Sequence, residues 1–228
     1  MDKFSLMVPN FLPSQEFFDS KKNQTCPGCG VSLAVRVVGK AVEKLLSKAV
    51  CERAAGAELF GVKTDAAMLT IKKGKSKVII CLDDEPEAKL DGAVKKQLPA
   101  IAIAEGFKYV ATACSSYPFD LYDKVKKALE TEGSSYIHIL CPCPSGWLYS
   151  TEDTIKVGFW AVESLAFPLY EVGSGFYNLT VKVMQPRGLG EYIKAQGRFE
   201  KVTAQQLKSA GAVVEKEYKK LLENIQPA

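Results

Sequence analysis

The sequence predicts an α/β protein, a doubly wound, mainly parallel sheet with helices on both faces. Three observations carry this reading. The segments 78–82 and 136–140 are short apolar runs, as expected of strands covered on both faces. The segments between the strands repeat apolar residues at helical spacing. Strands and helices alternate with short connections, which belongs to the doubly wound class.

The elements follow in order. Residues 1–25 form an irregular arm whose Phe11, Leu12, Phe17 and Phe18 pack against the body. A helix is predicted over 31–48, because Leu33, Val37, Val38, Ala41, Val42, Leu45 and Leu46 share one face. Residues 52–75 show no clear period, and 64–70 reads as a short helix. The strand 78–82 ends at Asp83-Asp84-Glu85-Pro86. A helix over 98–105 stops at Gly106 and leads to a strand over 109–113. The helix 119–131 turns Leu121, Val125 and Leu129 inward, and the strand 136–140 follows. Another helix spans 154–165. Strands at 169–172 and 179–184 pair as a hairpin across Gly173-Ser174-Gly175. Thr203 opens the last helix, which runs to about 224, with Gln206 as capping-box partner. The whole of 1–228 reads as a single domain with an N-terminal arm.

The chain has 228 residues, 47% hydrophobic and 25% charged, with a net charge of +4. That length buries a sizeable core without disulfides, and so mild a charge does not suggest a nucleic-acid partner. Lys72, Lys73, Lys75 and Lys77 read as a solvated turn. The start, Met1-Asp2-Lys3-Phe4, runs into Pro9 and Pro13 without a signal-peptide pattern, and no apolar run reaches membrane-spanning length. A cytoplasmic protein that does not associate with a membrane is expected. In that compartment the seven cysteines read as metal ligands, redox groups or core residues.

Cys26-Pro27-Gly28-Cys29-Gly30 places a CxxC at the start of a helix, where the amide dipoles favour thiolates. Cys51 ends that helical region. Cys143 follows a strand in Cys141-Pro142-Cys143-Pro144. Four such cysteines can hold a [4Fe–4S] cluster or a zinc ion; a redox dithiol also fits the CxxC. Cys141 is the alternative to Cys143 as a ligand. Cys81 and Cys114 read as packing thiols within strands. Asp83, Asp84 and Glu85 could bind Mg²⁺, but a solvated acidic strand end accounts for them better. His138, the one histidine, reads as a satisfied core residue. Gly188-Leu189-Gly190 is a turn candidate, and neither a dinucleotide-binding nor a Walker A motif is present.

Several blocks together resemble the β subunit of pyruvate (2-oxoacid):ferredoxin oxidoreductases. They are Phe11-Leu12-Pro13-Ser14-Gln15-Glu16-Phe17-Phe18 followed by the CxxC, and Tyr109-Val110-Ala111-Thr112-Ala113 with Tyr117-Pro118-x-Asp120-Leu121. Tyr136-Ile137-His138-Ile139-Leu140 with Cys143-Pro144-Ser145-Gly146-Trp147 is the most specific. Pro168-Leu169-Tyr170-Glu171 and Gln196-Gly197-Arg198-Phe199 continue the series. The resemblance implies the fold of thiamine diphosphate-binding domains. It also implies a [4Fe–4S] cluster on Cys26, Cys29, Cys51 and Cys143, with Cys51 in a context that departs from the family's. Partner subunits are implied as well, ferredoxin among the possible ones. Trp147, Tyr149 and the Phe-rich arm either contact a partner or complete this chain's own core.

Other departures bear on chemistry. The family's Gly-Asp-Gly is absent near 60–65. Asp84 stands where the family has Asn, the loop that follows is short, and Asn23-Gln24-Thr25 replaces a His before the CxxC. Without those groups thiamine diphosphate and Mg²⁺ are not expected to bind. The sequence therefore suggests an iron–sulfur electron-transfer or scaffold subunit. A working β subunit, and a structural protein with zinc or no metal, are the alternatives, so enzymatic activity stays open.

Overall fold

The computed structural model describes residues 12–18, 25–43, 66–84 and 97–225, and, by backbone alone, strands at 57–59 and 62–64. A six-stranded mixed sheet forms the centre. Its strands are β3 (Ala67–Lys73), β4 (Ser76–Asp83), β5 (Tyr109–Cys114), β6 (Gly133–Leu140), β7 (Tyr170–Gly173) and β8 (Phe176–Leu179), in the order β3-β4-β6-β5-β7-β8. The middle ladders β4–β6 and β6–β5 are parallel, and the outer ones are antiparallel. The expected doubly wound α/β sheet is thus present, with antiparallel flanks. β1 (Ala57–Leu59) and β2 (Val62–Thr64) form a separate hairpin.

Both faces of the sheet are covered. Along β4, β5 and β6 side chains alternate, as strand geometry requires. Val78, Ile80, Leu82, Ala111, Ala113, Ile137 and Ile139 enter one core with α1 (Gly30–Val42) and α3 (Pro118–Glu130). On the other face, Cys81, Val110 and Tyr136 pack with Leu98 and Ala102 of α2 (Leu98–Ala104). Further along that face, Cys114 and Leu140 meet α4 (Pro144–Trp147), α5 (Thr154–Glu163) and α6 (Leu189–Lys194). The last helix, α7 (Ala204–Glu223), carries the expected capping box between Thr203 and Gln206.

Most elements lie where the sequence places them; the differences have physical causes. α1 stops at Val42, where Glu43 takes a left-handed conformation (φ 54°), and 44–51 lie outside the described residues. The expected helix at 64–70 does not exist: Thr64 ends β2, and Ala67–Lys73 pairs antiparallel with β4. Ala66-Ala67-Met68-Leu69 are good helix formers, yet Ala67, Leu69 and Ile71 reach one core while Met68 reaches the other. Tertiary pairing overrides propensity there. The Lys-rich run is the exposed β3–β4 turn, as expected.

The second hairpin begins earlier than 179. Ser174 and Gly175 both have positive φ (52° and 83°), a two-residue turn of the kind that matches strand twist. Gly173 then pairs with Phe176, and the strand ends at Leu179. In the arm, Phe18 packs on the core beneath Arg36, and Lys40 Nζ donates to the carbonyls of Pro13 and Gln15 at 2.7 and 2.9 Å. Phe11 lies outside the described residues.

Lys124 is fully buried on α3. Its ammonium donates to Asp120 Oδ2, Thr112 O and Thr180 Oγ1, each at 2.7 Å, tying helix, sheet and hairpin together. Burial pulls this ammonium below the ordinary lysine range, and Asp120 opposes that. Asp120→Ala leaves a buried cation without its counter-charge and is expected to cost about 3 kcal/mol. Lys124→Met is expected to be milder. Urea unfolding of the two variants checks the order.

Glu171 accepts from Tyr109 Oη at 2.8 Å, from Lys127 at 2.8 and 2.9 Å and from Asn178 at 3.2 Å. Burial pushes its carboxyl up, but these donors outweigh that and hold it below the usual glutamate value. A depressed carboxyl stabilises the fold above its unfolded pKa and stops doing so as pH falls. Below the ordinary carboxylate range the wild type should therefore lose stability more steeply than Glu171→Gln, as read by urea midpoints across acidic pH.

Candidate metal centre

The site grows from the carboxyl ends of the three parallel strands. Asp83 and Cys114 each stand in register with Leu140. Beyond these ends the chain continues as Asp84, as Ser115-Ser116 and as Cys141-Pro142-Cys143. Cys141 N donates to Asp83 O at 2.8 Å, and Ser115 N to Leu140 O at 3.0 Å. Ligands of open α/β sheets gather at this edge.

The CxxC meets it directly. Cys29 N closes a turn on Cys26 O at 3.2 Å, and Gly30 N donates to Pro142 O at 3.0 Å. A Cβ on Gly30 would lie 2.5 Å from Pro142 O and 2.7 Å from the Cys141 carbonyl carbon. Only glycine lets the first turn of α1 rest on this backbone. Gly28 (φ 68°) is held on the other side, its carbonyl accepting from Thr154 Oγ1 at 2.7 Å.

Cys29 is buried and Cys26 exposed. Cys143 caps α4, and its sulfur accepts the Gly146 amide at 3.3 Å with Ser145 Oγ at 3.5 Å. Cys141 lies wholly in the core, its thiol donating to Ile139 O at 3.5 Å and pushed well above the ordinary range by burial. Cys81 and Cys114 are fully buried, as expected of packing thiols, and burial pushes Cys114 up to about 11. Cys51 lies outside the described residues. Among the described residues no three His, Cys, Asp or Glu side chains gather closely enough to hold a metal ion. The structure thus joins the element carrying Cys29 to the one carrying Cys143, and leaves Cys26 at the exposed lip.

The acidic strand end differs from expectation. Asp83 and Asp84 are buried, not solvated; Trp147 Nε1 of α4 donates to Asp84 O at 2.6 Å, and Glu85 lies outside the described residues. His138 is a satisfied core residue. Its Nε2 lies 2.9 Å from Asp83 Oδ2, and Tyr136 Oη lies 3.0 Å from Nδ1. A carboxylate can only accept, so Nε2 donates to Asp83; in the neutral imidazole Nδ1 then accepts from the tyrosine hydroxyl. Of the two readings of Trp147, partner contact or part of this chain's own core, the structure shows the second: it is wholly buried.

Arg198 is the residue whose place sequence reasoning does not supply. Its guanidinium lies 4.2 Å from the centre of the Trp147 ring. The two residues are fifty-one positions apart, and no local pattern signals the stack. Gly188 proves to be the N-cap of α6 rather than an isolated turn.

No family profile matches the chain. Individual proteins do. Pyruvate synthase subunit PorB of Methanocaldococcus jannaschii is 42% identical over 127 residues, 56% of this chain and 43% of the relative. The PorB of Methanosarcina barkeri is 45% identical over 105 residues, 46% of this chain and 36% of the relative. Ketoisovalerate oxidoreductase subunit VorB of Pyrococcus furiosus is 36% identical over 129 residues, 56% of this chain and 42% of the relative. The chain spans about two-fifths of the length of the curated relatives it matches. It resembles the β subunit of a 2-oxoacid:ferredoxin oxidoreductase. Among the described residues no helix is long and apolar enough to cross a membrane.

Gly30→Ala is expected to push α1 off the Pro142 backbone and to cost about 1–3 kcal/mol, the usual range for overpacking. Thermal melts followed by the fluorescence of the two tryptophans, Trp147 and Trp160, test this. An unchanged melt would mean that the junction yields without strain.

Proposed function

We propose that this chain is an iron–sulfur electron-transfer or scaffold subunit of a multisubunit complex, related to 2-oxoacid:ferredoxin oxidoreductase β subunits and working without thiamine diphosphate. The observation that carries the reading is the Gly30–Pro142 junction. It brings two cysteine-bearing elements, far apart in sequence, onto one edge of the sheet. The donor chemistry suits a cluster: soft sulfur ligands, a glycine-lined approach and a backbone amide already directed at Cys143 Sγ. Cys26, Cys29, Cys51 and Cys143 would hold it. A [4Fe–4S] cluster, when bound, supplies one-electron transfer.

The absence of thiamine diphosphate is argued from the residues. Gly-Asp-Gly is missing near 60–65. Asp84, at the family's Asn position, is buried beneath Trp147 with its carbonyl engaged. Partner subunits, ferredoxin among them, are proposed because the relatives are named as subunits and because this chain exposes Leu148, Ile155 and Phe159. The last two line an apolar depression of about 500 Å³ beside Leu33, Tyr117 and Phe119.

Anaerobic reconstitution of the full chain with iron and sulfide tests the cluster. We expect broad visible absorbance with matching iron and sulfide content. Cys29→Ser and Cys143→Ser should each lose most of the iron, and Cys81→Ser should keep it. Stoichiometric zinc with no iron would move the assignment to a structural metal protein. Calorimetric titration with thiamine diphosphate and Mg²⁺ should show no saturable heat. Micromolar binding would make the chain a working β subunit, as the relatives' names suggest.

A further inference from the structure

β3 is one edge of the central sheet. Its inner side pairs with β4 from Ala67–Leu82 to Lys73–Ser76, and among the described residues no strand pairs with its outer side. The other edge, β8, has four residues, whereas β3 has seven. A long unpaired edge is a ready template for another strand. β3 is also the margin of the packed interior. Ala67, Leu69 and Ile71 pack on the core under α1 and α3, and Met68 on the opposite one, yet all four are only half-buried. β4, one strand further in, buries most of its side chains.

The turn fixes which backbone groups face outward. Lys73 pairs with Ser76 across Gly74 and Lys75, and Gly74 has a positive φ of 57°, as the first position of a two-residue hairpin turn requires. The residues flanking such a turn exchange both ladder bonds, and hydrogen-bonded and non-hydrogen-bonded pairs alternate from there. Lys73, Ile71, Leu69 and Ala67 therefore bond inward to β4. Met68, Thr70 and Lys72 turn their amides and carbonyls to the open side.

A second β3 matches that pattern in an antiparallel register with its two-fold axis at Thr70. The outward groups of Thr70 then face those of Thr70 in the second copy, and those of Met68 face those of Lys72. Leu69 lies opposite Ile71 of the second copy, in the closer, non-hydrogen-bonded type of pair. Repeated on both sides of the axis, that contact covers the half-buried margin of each core. The two threonines meet on the other face, a favourable cross-strand combination. Lys72 and Lys73 of the two copies are carried to opposite ends. A parallel arrangement would instead set each lysine beside its own copy, which is destabilising. The antiparallel contact is isologous, the kind that closes as a dimer.

We propose that the outer edge of β3 is the surface on which two copies of this chain join, antiparallel about Thr70, into one continuous sheet. The inference does not depend on the iron–sulfur reading, and its test needs no metal.

Sedimentation equilibrium of the full chain over a series of concentrations measures the association. The wild type should approach twice the chain mass of 24.9 kDa. Thr70→Pro removes an outward N–H and no bond to β4, and an edge strand accepts proline. It should keep the wild-type circular dichroism spectrum and stay at 24.9 kDa. Thr70→Cys gives a second reading. Hydrogen-bonded antiparallel residues stand about 5.5 Å apart at Cα, within a disulfide's reach. Under oxidised glutathione two such chains should cross-link through the introduced thiols, as identified by peptide mass spectrometry. A wild type that stays monomeric at every concentration overturns the proposal. A folded Thr70→Pro chain that still dimerises also overturns it, because the contact then lies elsewhere. If Thr70→Pro does not fold, the cross-link decides: a peptide joined at position 70 supports the edge contact, and its absence overturns it.

Discussion

The approach of Gly30 to the Cys141-Pro142 backbone is the constraint on which the rest of the structure depends. The hydrogen bond itself contributes only about 1 kcal/mol. Its importance is geometric. With no side chain at Gly30, the first turn of α1 lies on the strand-end loop, which buries Cys29 and holds the CxxC against the segment leading to Cys143. It also sets the line along which α1 crosses the sheet. Ala34, Val35, Val38 and Ala41 then fall on the core shared with α3, and Lys40 is left where it can anchor the arm. One close contact thus couples the placement of a helix to that of the thiols.

How far the sequence could be read depends on how local the deciding physics is. The parallel strands were legible because residues such as 78–82 are buried on both faces and carry no polar alternation. The final helix was legible because the Thr203–Gln206 capping box is a four-residue code. The false helix at 64–70 arose where helix-forming residues are recruited by pairing with a strand beyond a tight turn. The difference between Cys141 and Cys143 follows from alternation: Ile137, Ile139 and Cys141 continue one face of β6 into the core, and the chain then turns at Pro142. The burial of Asp83 and Asp84 was hidden, because contacts such as that of Trp147 Nε1 with Asp84 O are long-range. Arg198 over Trp147, and Lys124 among Asp120, Thr112 and Thr180, are long-range arrangements that composition does not announce.

The buried polar groups specify the fold more than they stabilise it. Cys81 stands opposite His138, and Asp83 opposite Leu140, in the β4–β6 register. The His138–Asp83 bond is therefore a diagonal contact on one face. A slip of one residue would turn His138 toward the apolar core under α1 and α3 and leave Asp83 without its imidazole. Tyr136 adds a further constraint, since its hydroxyl serves the other imidazole nitrogen. Lys124 acts similarly for the hairpin by reaching Thr180 just beyond β8. Each group makes alternative packings costly, and none of this requires a catalytic role.

The carboxyl edge of the sheet brings these threads together. In a doubly wound fold that edge is where a ligand's charged part is usually received, on exposed amides and glycine-rich turns. Here the described edge is largely occupied by the chain itself. The Cys141 amide is bonded to Asp83 O, the Ser115 amide to Leu140 O and the Trp147 indole to Asp84 O. Arg198 lies over that indole in turn. An edge so filled offers few free donors to a diphosphate. It does present sulfur, at Cys29 and Cys143, beside a junction that glycine holds close. The proposed cluster and the proposed lack of thiamine diphosphate both draw on that one packing arrangement, and the titrations above test them separately.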